Sequence, residues 1–195
     1  MLRRALLAGF ATLPFLPATA SAQATEFGLA AALGAEARTQ KPEQYDPAYK
    51  VIAYPLGDVA DDRGVCADTV IRAFRTAGAD LQQLVHEDMV RAFNAYPQIW
   101  GLKHADTNID HRRVPNLETF FTRAGARQDK RNVIACLPGD VVSWRIPVPH
   151  IGVVSTRRDP GSERPLMVHN IGAGSQLEDV LLSWPVQGWF RYRPA

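Results

Sequence analysis

The stretch "GDVVSWRIPVPHIGVVST", residues 139–156, decides the fold. Val141, Val142, Trp144 and Ile146 make one β-branched and aromatic run, and residues 150–156 make a second. A Pro-containing turn separates them, which reads as two paired strands. Downstream, "LMVHNI" (166–171) and "GWFRYR" (188–193) repeat the pattern, with the turn "RRDPGSERP" (157–165) between the second and third strands. The C-terminal part therefore reads as an antiparallel sheet.

Upstream the period changes. In "DDRGVCADTVIRAF" (61–74), Cys66, Val70, Ala73 and Ala77 fall on one helical face, with Ile71 and Phe74 beside them and Gly78 as the stop. A second helix is expected from Asp80, with Gln83 three residues on as a capping box and Leu81, Leu84, Val85, Met89, Ala92 and Phe93 as its apolar stripe. A third, "NLETFFTRAG" (116–125), takes Asn116 as its cap and points Leu117, Phe120 and Phe121 inward. "AYKVIAYP" (48–55) reads as a short strand ending at Pro55, and residues 23–45 as a lead-in with a marginal helix through "EFGLAAALGAEART". Helices first and strands afterwards make an α+β domain of N-terminal helices on a C-terminal antiparallel sheet, placed at residues 46–195.

Residues 1–22 have a different character. Arg3 and Arg4, an apolar run from Ala5 to Leu16, and Ala20-Ser21-Ala22 follow the layout of a secretory signal peptide cut after Ala22. The expected location is periplasmic or secreted, with no stable membrane insertion after cleavage. The whole chain has 22 basic and 20 acidic residues; without the signal it is balanced, 20 against 20. Nothing in that balance points to nucleic acid or an anionic membrane as a partner.

The chemistry rests on two cysteines and five histidines. Cys66 at a helix start could be a packed apolar residue, half of a disulfide with Cys136, a metal ligand or a nucleophile. A helix N-terminus favours the thiolate, the nucleophilic form. His150 opens one strand and His169 lies near the end of the next, so pairing of the two strands would bring them to one end of the sheet. A Cys with a His and a second polar residue that orients it is a nucleophile–base–orienter set. Each His alone could equally be structural. Cys66, His150 and His169 could also bind zinc. His86 is placed on a solvated helix face, and His104 and His111 in the polar connection "KHADTNIDHRRVP" (103–115). There Arg112 and Arg113 could grip substrate carboxylates or sit in a hydrated loop beside Asp110.

Taken together, "DRGVCADTVIRAFRTAGADLQQLVHEDM", "NIDHRRVPNLETFF", "PGDVVSW", "HIGVVS" and "VHNIGAG" resemble the secreted bacterial family known as domain of unknown function 1287, over roughly residues 38–193. That family is similar in turn to NlpC-type, papain-like amidohydrolases that cut cell-wall peptides. The resemblance implies a papain-like single domain with Cys66 as nucleophile, His150 as base and His169 as orienting residue. It implies a peptidoglycan peptide as substrate and no cofactor. Tyr54, about a dozen residues before Cys66, takes the place of a Tyr near the oxyanion. Asp68, Arg112, Arg113 and Asn170 complete the candidates for oxyanion or substrate contact. Val65-Cys66-Ala67 replaces the usual Asp-Cys-Ser, and the helices and Arg-rich loop after it also depart from the pattern. The alternative is an envelope-binding module on the same fold without turnover.

Overall fold

The computed structural model describes residues 25–194, so residues 1–22, where a signal peptide is expected, lie outside the described residues. Four helices occupy the N-terminal part: α1 (Glu26–Arg38), α2 (Cys66–Thr76), α3 (Leu81–Ala92) and α4 (Val114–Arg123). Two short strands, β1 (Gln44–Tyr45) and β2 (Arg63–Gly64), pair in parallel ahead of α2. The C-terminal part is a five-stranded sheet of β3 (Val141–Arg145), β4 (Pro149–Arg158), β5 (Pro165–Asn170), β6 (Ser175–Glu178) and β7 (Val186–Phe190). Its spatial order is β6-β5-β4-β3-β7, and every neighbouring pair is antiparallel. The α+β expectation holds.

Side chains alternate across a strand, and here both faces are buried. Val141, Ile151, Val153, Val168 and Phe190 pack under the helices with Val70, Ile71, Phe74 and Phe121. Val142, Trp144, Val154, Met167 and Trp189 form a second core on the far face with Val133, Cys136 and Leu181. Helix α2 is the centre of the first core: Cys66, Ala67, Val70, Ile71, Ala73 and Phe74 are all buried.

Several local expectations are corrected. Residues 48–55 form no strand. Their backbone N–H groups turn to side chains instead, Ala48 to Asp46 Oδ1 and Ile52 to Asn108 Oδ1. Val51 is left 83% exposed, so no hydrophobic face holds the segment against a partner. Asp80 does cap α3, but through the N–H of Gln82, and Gln83 bonds Glu87 instead of closing a box. Helix α4 starts two residues earlier than Asn116, because Pro115 is tolerated in a first turn. Asn116 is buried and donates to the Asp110 carbonyl. The helix expected in the lead-in is present as α1, and it packs on α2 and β4. A Cβ at Gly139 would overlap Gly28 O, so the turn before β3 fits against α1 only as glycine.

The segment before Cys66 is pinned to α2 by buried charge. Arg72 reaches Asp58 (2.9 Å), Glu43 (3.0 Å) and the Arg63 carbonyl (2.9 Å). These bonds fix where β2 ends and α2 begins, and so where Cys66 stands.

Candidate active site

Cys66 is the first residue of α2, behind the extended Val65. Asp68 reaches back to the Val65 N–H at 2.7 Å and secures that start. The thiol is 4% exposed. It lies on the wall of a cavity of about 600 Å³, together with Tyr45, Tyr49, Trp100, Arg113, Val148 and Pro149.

Burial opposes the effect of the helix start on the thiol. Burial pushes the Cys66 thiol up to about 12, and the Asp68 carboxylate adds to the rise. The N–H groups of Ile151, Ala67 and Cys66 itself favour the thiolate but do not outweigh desolvation. Cys66 is therefore a neutral thiol at pH 7. Cys136 is a second free, buried thiol, also pushed up to about 12 by burial. It belongs to the core on the far face of the sheet, so the two cysteines form no disulfide.

His150 and His169 meet as the strand pairing requires. Gly152 faces His169 in the β4–β5 register, and His150 sits two residues away on the same face. A Cβ on Gly152 would stand 3.1 Å from that of His169, so glycine gives the second ring its room. His150 Nε2 and His169 Nδ1 are 2.9 Å apart, and His169 Nε2 is 2.9 Å from Glu178 Oε2. Trp144 stacks on His150 at 5.8 Å, and Trp184 meets both imidazoles edge-on. Burial, then the neighbouring His169, pushes His150 down to about 4. Burial also lowers His169, against the pull of Glu178.

Strand alternation sets these rings and Cys66 on different faces. His150 shares its face with Trp144, and Ile151 shares the helix face with Cys66. Sγ makes no hydrogen bond to either imidazole. It does lie at the Ile151 N–H, the amide that joins Ile151 to His150, near the start of β4. His150 Nδ1 has no hydrogen bond among the described residues. It is not one of the enclosed polar atoms without a partner, which are Arg38 Nε, His86 Nδ1, Asn116 Oδ1 and Asn170 Nδ2.

The other candidates divide. Asp68 and Arg112 form a two-bonded buried ion pair, 2.8 Å and 2.9 Å. Arg112 also donates to the carbonyls of Ala48 and Asp46. Its fork is engaged inside the protein, while Arg112 also borders the cavity beside Cys66. Arg113 does line the cavity, stacked 4.3 Å over Trp100 and bonded to Asp110. Asn170 is buried on the helix-facing side of β5; its Oδ1 accepts from Gly172 N and its Nδ2 has no partner. Tyr54 is misplaced as an oxyanion group: it is 41% exposed and packs edge-on against His86 at 5.1 Å, away from the cavity.

Tyr45 stands at the cavity in its stead. It is brought there by the pairing of β1 with β2, which sets Tyr45 opposite Gly64. Burial raises its phenol pKa, and so do Cys66 and Asp68, which places them nearby. His86 is half-buried and not on a solvated face, because Tyr54 covers it. His104 is exposed, whereas His111 is buried and pushed down to about 3 by burial and by Arg75 and Arg112. Among the described residues no group of three or more His, Cys, Asp or Glu is arranged to hold a metal ion, so the zinc alternative has no assembled donor set.

The histidines link stability to pH. His150 and His111 titrate near 4 and 3 in the fold, against 6.5 for a free imidazole. Below pH 6.5 the unfolded chain takes up protons that the folded chain does not, so stability falls as pH drops from 6.5 through 4. The expected result is a urea midpoint that declines over that window and declines less steeply in His150→Gln.

The sequence signature of the family described as "Domain of unknown function (DUF1287)" matches residues 32–192. The chain is 50% identical over 184 residues to "Uncharacterized protein YijF" of Escherichia coli (strain K12), covering 92% of this chain and 88% of that protein. No solved structure matches.

Proposed function

The chain belongs to the DUF1287 family, and from that starting point we propose that it is an exported cysteine amidohydrolase acting on an amide bond of cell-wall peptides. One observation carries the reading. A cavity-lining Cys opens a helix against the His150–Ile151 peptide of β4, and the ring of that His is held by a second His and a carboxylate. The resemblance to NlpC-type enzymes supplies the reaction class, and the pattern in residues 1–22 supports export.

The chemistry starts from neutral groups. Sγ attacks the amide carbonyl while the thiol proton passes to His150 Nδ1 through one water at the start of β4, since the two groups share no direct hydrogen bond; an S–C bond forms as the S–H bond breaks. The N–H of Cys66 faces the developing oxyanion, with Tyr45 as a second donor. Collapse breaks the C–N bond, and His150 returns the proton to the leaving amine. A water, deprotonated by the same nitrogen, then cleaves the thioester and restores the thiol. His169 and Glu178 orient His150 and balance its charge while it is an imidazolium.

A neutral resting pair has a measurable consequence. Iodoacetamide is expected to label Cys66 in the native protein more slowly at pH 8 than in the unfolded chain, with no rise in rate around the free-thiol value of about 8.5. Fast labelling below pH 7 would mean a preformed thiolate and would contradict this mechanism.

The binding-module reading is favoured by one feature, the absence of a Sγ–imidazole hydrogen bond. Turnover of muropeptides by the purified protein, and its loss in Cys66→Ala and His150→Ala with peptide binding retained, separates the two. Binding without turnover in the parent protein leaves the module.

A further inference from the structure

Glu178 lies outside every sequence signal for this site. It ends β6, a four-residue polar strand. Met167 faces Glu178 and His169 faces Gln176 in the β5–β6 register, which makes Glu178 the diagonal neighbour of His169 on one face of the sheet. A long side chain spans that diagonal. Its carboxylate is the one carboxylate bonded to the histidine pair among the described residues.

We propose that Glu178 is a positioning residue of this site, setting the tautomers of both histidines so that His150 Nδ1 is left as the proton acceptor. The inference rests on the amidohydrolase reading for its consequence, not for its geometry. A carboxylate only accepts, so His169 Nε2, 2.9 Å away, carries a hydrogen. With neutral rings, His169 Nδ1 is then a lone pair. It accepts from His150 Nε2, also 2.9 Å away, which therefore carries that ring's hydrogen. The lone pair of His150 falls to Nδ1, the nitrogen with no hydrogen bond in the described protein. Reversing the order would aim the His169 Nε2 lone pair at the carboxylate oxygen, lone pair against lone pair. One exterior acceptor thus fixes the direction of a chain across three strands, β6 to β5 to β4.

The test reads tautomers directly and needs no substrate. The full mature chain is labelled with ¹⁵N-histidine, and long-range ¹H–¹⁵N correlations are recorded for the parent, Glu178→Leu and Glu178→Gln. The side chain of Glu178 is 49% exposed at the sheet edge, so both variants should fold, and Gln retains a carbonyl acceptor. The expected result is protonated Nε2 and bare Nδ1 on both rings of the parent and of Glu178→Gln. In Glu178→Leu both rings should shift toward protonated Nδ1 or a mixture. In parallel, kcat on muropeptides should fall about 10²-fold in Glu178→Leu with KM unchanged, and recover substantially in Glu178→Gln. Parent-like tautomers in Glu178→Leu would overturn the inference, as would protonated Nδ1 in the parent. If the tautomers behave as expected but the parent shows no turnover, the amidohydrolase reading fails and the positioning of the rings stands.

Discussion

Cys66→Ala is expected to lower muropeptide hydrolysis by at least ~10³-fold, the scale on which loss of a nucleophile acts, while the fold survives. The two consequences part because of where the side chain sits. Cys66 packs in the helix-side core with Val65 and Val70, and Ala deletes one sulfur from a wall that already borders an open cavity. The stability cost should therefore be small, about 1 kcal/mol or less. Turnover and thermal unfolding measured on the same preparation check both halves. Parent-like turnover would remove Cys66 from the chemistry, and collapse of the fold would mark it as a packing residue first.

The largest loss of stability is expected from Arg112→Ala. Arg112 and Asp68 are both almost fully buried, with side chains 2% exposed, and joined by two hydrogen bonds. Removing one partner strands a buried charge, which costs about 3–5 kcal/mol. Here it also loosens the start of α2, since Asp68 holds the Val65 N–H, and it frees the carbonyls of Ala48 and Asp46. Urea unfolding measures the effect. Arg131→Ala, which breaks an ion pair on a side chain 87% exposed, should unfold at the parent's urea midpoint. The double change Asp68→Asn with Arg112→Met should recover part of the loss, because the cost lies in the unpaired charge. An Arg112→Ala protein as stable as the parent would return Arg112 to the list of residues free for substrate.

The α+β architecture was legible because its signals are local. The β3 and β4 runs alternate around a Pro turn, and Cys66 through Phe74 keep helical spacing, so Cys66 at a helix start and His150 beside His169 could be read from the chain. What failed depends on tertiary partners. The pattern at residues 48–55 suggested a strand, but among the described residues no strand pairs with it. Tyr54 sits at a plausible sequence distance from Cys66, yet Tyr45 reaches the cavity because β1 pairs with β2, a two-residue contact too short to show in sequence. Glu178 is hidden in "SQLE", which has no apolar alternation and is a strand only because β5 offers its edge. The opposing pull on the thiol is hidden for a related reason. A helix N-terminus is visible in sequence, whereas the desolvation that outweighs it comes from the sheet packed above.

The central claim is that Cys66 becomes acylated by its substrate, and intact-mass spectrometry after rapid acid quench tests it most directly. The mature protein would be mixed with a muropeptide bearing the cleavable amide, and the quenched chain digested to locate any adduct. The account expects a thioester of the acyl fragment's mass on the peptide that carries Cys66. It should be absent in Cys66→Ala and form more slowly in His150→Ala. Hydrolysis without an adduct, undiminished in Cys66→Ala, would contradict it, as would peptide that binds at the cavity and is released uncut.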